Sequence, residues 1–140
     1  KTTLAKKISK ITKIPHYSTD DMVYKRKWNK KYSEKEIKEN LKKVIKNNRW
    51  IIEGVHVKGW IVPAIKKADK IILLNPRKII MTKRVIKRTR QKKGSTFQLL
   101  KLIYLANRWG IKDYLVHKEK KNFVTLNNDK EINEYINKLK

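Results

Sequence analysis

The chain has 140 residues, which is enough for one compact domain and too few for two. It contains no cysteine, which excludes disulfides and thiolate metal sites, and no apolar run approaches the roughly 18 residues that a transmembrane helix requires. With no apolar signal segment at the N-terminus either, the sequence predicts a soluble, cytoplasmic, monomeric protein with no membrane partner.

The charge of the chain is strongly unbalanced. Its 38 basic and 12 acidic residues give a formal net charge of +26, a field that attracts the phosphates of nucleotides, nucleic acids or anionic lipids. The lysines are spread over every predicted helix, however, and heavy use of Lys, Ile and Asn is typical of an AT-rich genome. Two explanations of the excess of basic residues therefore remain open. It reflects either drift in amino-acid composition or a surface selected to bind a polyanion.

Helical and strand patterns alternate along the chain. Apolar residues at helical spacing predict helices over residues 3–13, 33–48, 61–68, 78–90, 96–109 and 129–139. Short apolar runs predict strands, of the kind buried on both faces in parallel sheets, at residues 14–18, 50–53, 71–74 and 123–126. This alternation predicts an α/β domain with a parallel sheet.

Helix starts are marked by capping residues. Ser33 followed by Glu36 forms a capping box, and Asp129 is predicted to cap the last helix. Asp20 and Asp21 are expected in a loop after the first strand.

Polar residues directly after the predicted strands are the candidates for function. Ligands of parallel α/β sheets bind beyond the carboxyl ends of the strands. The residues in this position are Asp20, Asp21, Glu53, Gly54 and Asn75.

The chain opens with Lys1-Thr2, directly before a predicted helix. A phosphate-binding P-loop ends in Gly-Lys-Ser/Thr and leads straight into a helix, whose N-terminus offers free N–H groups to phosphate. By itself this match carries little weight, because many helices begin with Lys and Thr. Its value depends on the motifs that follow in order.

In that order the motifs resemble the adenylate-kinase-like P-loop family, and especially its branch of DNA topology modulation proteins. The branch typically reads Gly-Lys-Ser-Thr-Leu-Ala-Lys-Lys-Leu at its loop and first helix, then Ile-Pro before an Asp, then Trp-Ile-Ile-Asp-Gly, Ala-Asp-x-Ile-Ile-x-Leu and an Arg-rich helix. The matching segments here are residues 1–8, 14–21, 50–54, 68–74 and 84–88.

The resemblance implies a fold. It is a single three-layer P-loop domain over residues 1–140, with a lid-like helical segment at about 84–118 and a parallel sheet of order 2-3-1-4-5. The central first strand and the glycine-rich front of the phosphate loop precede Lys1 in the family, so the chain is expected to be N-terminally truncated. The strands at 50–53 and 71–74 should then lie about two strand spacings apart, near 9–10 Å.

The resemblance also implies ATP and Mg²⁺ as cofactors. Lys1, Arg84 and Arg88 would bind the nucleotide phosphates and stabilise charge during transfer. Thr2 and Thr3 would contact the nucleotide, and Thr2 would share Mg²⁺ with Glu53, which replaces the usual Asp.

The acceptor side of the site rests on other residues. Asp20 would act as general base or hold the acceptor, with Asp21 and Gly54 close to it. Each of the implied roles competes with a structural one, such as a surface lysine, an N-cap hydroxyl, a loop aspartate, a turn glycine or a basic helix face. His16, His56 and His117 show no metal-binding spacing and are predicted to be structural or exposed.

Three functions remain open at this stage. The first is ATP- and Mg²⁺-dependent phosphoryl transfer to a small acceptor such as a nucleotide or nucleoside. The second is nucleic-acid binding through the net charge, although no nucleic-acid-binding motif is present. The third is a nucleotide-binding switch with little turnover.

Overall fold

The computed structural model describes residues 1–25, 30–54, 59–77, 80–83, 86 and 123–140. The helices and strands, in chain order, are α1 (Thr2–Thr12), β1 (His16–Ser18), α2 (Thr19–Val23), α3 (Glu34–Ile45), β2 (Ile51–Glu53), a 3₁₀ turn (Gly59–Ile61), α4 (Val62–Lys67), β3 (Ile71–Leu74), β4 (Phe123–Leu126) and α5 (Asp129–Asn137). Residues 80–83 are also helical. None of the helices within these ranges has the length and apolar character needed to cross a bilayer.

The strands form two separate parallel pairs. β1 pairs with β2, with Ser18 opposite Glu53, and β3 pairs with β4, with Leu74 opposite Leu126. β2 and β3 are not hydrogen-bonded to each other. The predicted α/β class with parallel strands is confirmed, and so is the absence of direct pairing between these two strands.

Helices cover both faces of the β1–β2 pair. Successive side chains of a strand point to opposite faces, so neighbouring residues of β2 contact different helices. Ile52 packs toward α3 and α4. The neighbouring Glu53 points to the other face, where its carboxylate meets the start of α1.

A first hydrophobic cluster lies beneath α3. Leu41 is its most deeply buried member, at 2% exposure. The cluster draws on α2, α3, the 3₁₀ turn and α4, and its buried residues are Met22, Leu41, Val44, Ile61 and Ala64.

A second hydrophobic cluster lies between α1, α5 and the β3–β4 pair. Leu4, Leu126 and Ile136 are buried there. The apolar face of α1 completes it with Ile8 and Ile11. Because α1 also contacts β1 and β2, it packs against both strand pairs.

The structure corrects the local predictions at three places. Asp20 and Asp21 lie in the first turn of α2 and not in a loop, since the hydroxyl of Ser18 accepts from the N–H of Asp20 and starts a helix. Asn128 and not Asp129 caps α5, by accepting from the N–H of Glu131. The capping box of Ser33 and Glu36 is confirmed, but α3 ends at Ile45, before the predicted residue 48.

Candidate functional site

The start of α1 meets the carboxyl end of β2. The hydroxyl of Thr2 donates a hydrogen bond of 2.9 Å to Oε1 of Glu53, although the two residues are 51 positions apart. Thr2 is the first helical residue and Glu53 the last strand residue. Their side chains are therefore placed by the packing of α1 against β2, and two of the residues predicted to share a metal ion do lie side by side.

His16 is a third member of this group. Its Nε2 lies 3.9 Å from Oε1 of Glu53, and the two side chains are 16% and 11% exposed. That separation is too long for a hydrogen bond, and Nε2 is buried with no hydrogen-bond partner among the described residues. Sequence reasoning set His16 aside as structural or exposed, whereas the structure places it beside the candidate carboxylate.

The glycine after Glu53 is required by a neighbouring side chain. A Cβ atom at Gly54 would lie 1.7 Å from Oγ1 of Thr19 and 2.7 Å from its Cβ. Thr19 is 2% exposed, so it has little room to move away. Gly54 is therefore explained by the close approach of Thr19 of the same chain; contact of Gly54 with an acceptor remains a prediction.

The N-terminus of α1 has no acidic residue of its own in the first turn, and the carboxylate that contacts it is that of Glu53 from β2. The N-cap residue Lys1 makes no side-chain cap. The first turn's N–H groups have no partner inside the helix, and the helix dipole favours an anion at this end. Lys1, Thr2 and Thr3 are all exposed here, as an anion site requires.

Asp20 and Asp21 lie on the same edge of the sheet. α2 begins directly after Ser18, which is paired in register with Glu53. Asp20 is partly buried and Asp21 is exposed. A role of either aspartate toward an acceptor remains a prediction.

The predicted lid is not part of the described structure. Arg84 and Arg88 lie outside the described residues, as does the segment at about 84–118 except for Ile86. Their proposed contacts with nucleotide phosphates stay predictions.

The donor set at this edge suits a hard cation that keeps most of its water ligands. Mg²⁺ is commonly held by one or two protein oxygens, and the hydroxyl of Thr2 and carboxylate of Glu53 supply two in contact. Within the described ranges no group of three His, Cys, Asp or Glu side chains is arranged to hold a metal, as a tightly enclosed transition-metal site would need.

No protein-family model matches the chain, and no curated protein matches its sequence.

Proposed function

We propose that the protein is an ATP- and Mg²⁺-dependent phosphotransferase of the adenylate-kinase-like P-loop family, acting on a small acceptor such as a nucleotide or nucleoside. The observation that carries the proposal is the hydrogen bond between Thr2 and Glu53. The family pattern requires a hydroxyl at the start of the first helix and a carboxylate at the end of a neighbouring strand. Side chains 51 residues apart meet at that place.

The strand pairing supports the same family. In a sheet of order 2-3-1-4-5, the second strand pairs with the third and the fourth with the fifth, while the third and fourth strands are not neighbours. The two parallel pairs β1–β2 and β3–β4, with no pairing between β2 and β3, match that arrangement.

The residues at this edge of the sheet would have different roles in phosphoryl transfer. The exposed N–H groups at the start of α1 and the ammonium group of Lys1 would bind phosphate oxygens. Thr2 and Glu53 would hold Mg²⁺, which when bound neutralises charge on the phosphates. Asp20 would orient the acceptor hydroxyl and take its proton.

A second candidate function rests on the net charge of +26. Lys42, Lys43 and Lys46 at the end of α3 line a shallow surface depression together with Lys67 of α4. The carboxylate of Glu39 also lines this depression, but the lysines outnumber it. Such a surface would bind nucleic acid with an affinity that falls steeply with salt, whereas binding at the start of α1 would depend on Mg²⁺. The two functions are therefore separable by experiment.

The experiment is to titrate the chain with ATP, with and without Mg²⁺, and to screen acceptors with labelled ATP. Mg²⁺-dependent binding is expected, because Thr2 and Glu53 would hold the metal ion next to the phosphates. Thr2→Ala and Glu53→Gln should each reduce the Mg²⁺-dependent part about tenfold or more, the loss expected for an interaction with a charged group worth about 1.5–3 kcal/mol.

Matched controls remove the same kinds of group at positions away from the site. Thr12→Ala removes a hydroxyl from the other end of α1, where it donates to the carbonyl of Ile8. Glu134→Gln removes an exposed carboxylate from α5. Equal losses in the test and control variants would overturn the proposal. ATP binding that does not depend on Mg²⁺ and disappears with salt would overturn it in favour of polyanion binding.

A further inference from the structure

The imidazole of His16 holds a polar atom whose partner the described residues do not supply. Its Nε2 atom is buried and makes no hydrogen bond within the described part of the chain. Leaving a buried polar atom without a partner is costly, and nearly all such atoms in folded proteins are satisfied by protein, water or an ion. A ligand at Nε2 would remove this cost.

The strand register directs this nitrogen toward Glu53. β1 and β2 pair with His16 opposite Ile51 and Ser18 opposite Glu53, and residues two apart in a strand lie on the same face of the sheet. His16 and Glu53 are therefore diagonal neighbours on the face where β2 meets the start of α1. On that face Thr2 donates its hydroxyl to Oε1 of Glu53, the same atom that lies 3.9 Å from Nε2 of His16.

The 3.9 Å separation between Nε2 and Oε1 suits two ligands of one metal ion. It is too long for a hydrogen bond. An imidazole nitrogen and a carboxylate oxygen each lie about 2.0–2.2 Å from a bound transition-metal ion, so the two atoms are at most about 4.2 Å apart when they share one ion. Both side chains are largely buried, so the pair is held in place before an ion binds.

A nitrogen ligand changes which ion the site prefers. Mg²⁺ is bound through oxygen, whereas imidazole favours divalent transition-metal ions. Thr2 and Glu53 add two oxygens to the nitrogen of His16. Among the described residues no third His, Cys, Asp or Glu joins the pair, so water would complete the coordination and the ion would stay open to a further ligand.

We propose that His16, Glu53 and Thr2 form a mixed nitrogen–oxygen site for a divalent transition-metal ion such as Mn²⁺, and that His16 is the ligand that selects this ion over Mg²⁺. The inference rests on the proposed function, because Thr2 and Glu53 are the residues that would hold the metal ion of the phosphotransferase. It adds a third protein ligand and a preference among ions.

The test titrates the full chain, without a histidine tag, with Mn²⁺ alone at pH 8, where imidazole is in the neutral form that binds metals. Nucleotide is left out because adenine carries nitrogens of its own. Pulsed EPR detects a nitrogen nucleus bonded to Mn²⁺, and the spectrum should show one imidazole. Competition with Mg²⁺ measures the preference, which should be at least about tenfold in favour of Mn²⁺.

Variants assign the nitrogen to one residue. His16→Gln should abolish the imidazole signal and the preference for Mn²⁺, while weak binding of both ions remains at Thr2 and Glu53. A purely structural role for His16 would change stability and give no imidazole signal in the unmodified chain. His56→Gln and His117→Gln remove the other two histidines of the sequence, and both should keep the signal. Because the signal of the unmodified chain is measured first, the proposal can fail even if His16→Gln does not fold.

Three results would overturn the proposal. One is the absence of Mn²⁺-bound nitrogen in the unmodified chain, which would leave water as the partner of Nε2. Another is a signal that survives His16→Gln and disappears in one of the other two histidine variants. The third is equal affinity for Mn²⁺ and Mg²⁺.

Failure of the proposed function would look different. ATP binding that does not depend on any divalent ion would overturn the phosphotransferase and this inference together. Metal-dependent ATP binding without Mn²⁺-bound nitrogen would overturn only the role of His16.

Discussion

The two hydrophobic clusters of this fold are assembled from very different parts of the chain. The first takes its members from one continuous stretch, from Tyr17 to Ile65. The second combines α1 at one end of the chain with β3, β4 and α5 toward the other, so that Leu4 packs with Leu126 and Ile136. Local contacts build the first cluster, whereas the second requires distant segments to meet.

This difference has an energetic consequence. Closing a longer loop costs more conformational entropy before any contact is gained, and non-local contacts form later in folding. The first cluster is therefore expected to be the more stable region and the second the more easily opened.

The candidate site depends on both regions. Glu53 belongs to β2, which packs on the first cluster through Ile52. Thr2 belongs to α1, whose apolar face forms part of the second. The hydrogen bond between Thr2 and Glu53 therefore exists only when both clusters are formed, which makes the site sensitive to the weaker one.

The largest expected effects come from removing one leucine from each cluster. Leu41→Ala and Leu126→Ala truncate side chains that are 2% and 5% exposed, and such changes typically cost about 2–5 kcal/mol. Leu41→Ala should open the whole fold. Leu126→Ala should open α1, α5 and the β3–β4 pair while α3 keeps its amide protection.

Urea unfolding and residue-resolved hydrogen exchange measure this pair of variants. Lys38→Ala on the exposed face of α3 serves as the surface control. If Leu126→Ala opened α3 to the same extent as α5, the two clusters would form one cooperative unit and the comparison would be wrong.

A smaller effect is expected at the contact beneath the site. Gly54→Ala places a Cβ atom 1.7 Å from Oγ1 of Thr19, and overpacking of this kind costs about 1–3 kcal/mol. Thr19→Ala should relieve part of the loss, since it removes the closest atom but leaves Cβ of Thr19 at 2.7 Å. The double-mutant cycle should therefore show favourable coupling in the free energy of unfolding.

Gly59 provides the matched control for this cycle. It adopts a φ of +68°, and a Cβ atom there would have no neighbour within 4 Å. Gly59→Ala should destabilise through backbone strain alone, so Thr19→Ala should not rescue it. Equal rescue at both glycines would contradict a steric origin.

The sequence predicted those elements that have a strong local signal. Leu4, Ile8 and Ile11 recur at helical spacing and α1 is found there, and the Ser33 capping box is read directly from residue types three positions apart. The four strands were also placed to within two residues, because short apolar runs between helices have few alternatives in an α/β chain.

Features that depend on register or on very short elements escaped prediction. His16 lies beside Glu53 only because Ser18 pairs with Glu53 and side chains two apart in a strand share a face. α2 has five residues, too few to show a helical period, so Asp20 was expected in a loop. The pairing Thr2–Glu53 was predicted only through the family resemblance.

The smallest expected effects come from removing one helix N-cap in each of the two regions. Ser33→Ala removes the cap of α3, and Asn128→Ala removes the cap of α5. Each substitution is expected to cost about 1 kcal/mol. Ser33→Ala should raise amide exchange mainly in α3, and Asn128→Ala mainly in α5 and β4, both measured by the same NMR experiment.

The pH dependence of the free energy of unfolding distinguishes loss of the Ser33 cap from a general loss of stability. Hydrogen bonds from the backbone N–H and hydroxyl of Ser33 lower the pKa of Glu36 below its usual value of 4.5. A carboxyl whose pKa is lowered by folding stabilises the folded state above its unfolded pKa, and this stabilisation is lost as pH falls through the folded pKa. In Ser33→Ala only the backbone N–H still donates to Glu36, so ionised Glu36 stabilises the folded variant less. The difference in free energy of unfolding between the unmodified chain and Ser33→Ala should therefore become smaller below about pH 4.5. In a chain that carries Glu36→Gln, the effect of Ser33→Ala on the free energy of unfolding should not change with pH in this range, since the titrating carboxyl is gone. If the effect of Ser33→Ala were also independent of pH with Glu36 present, Glu36 would not contribute through its charge.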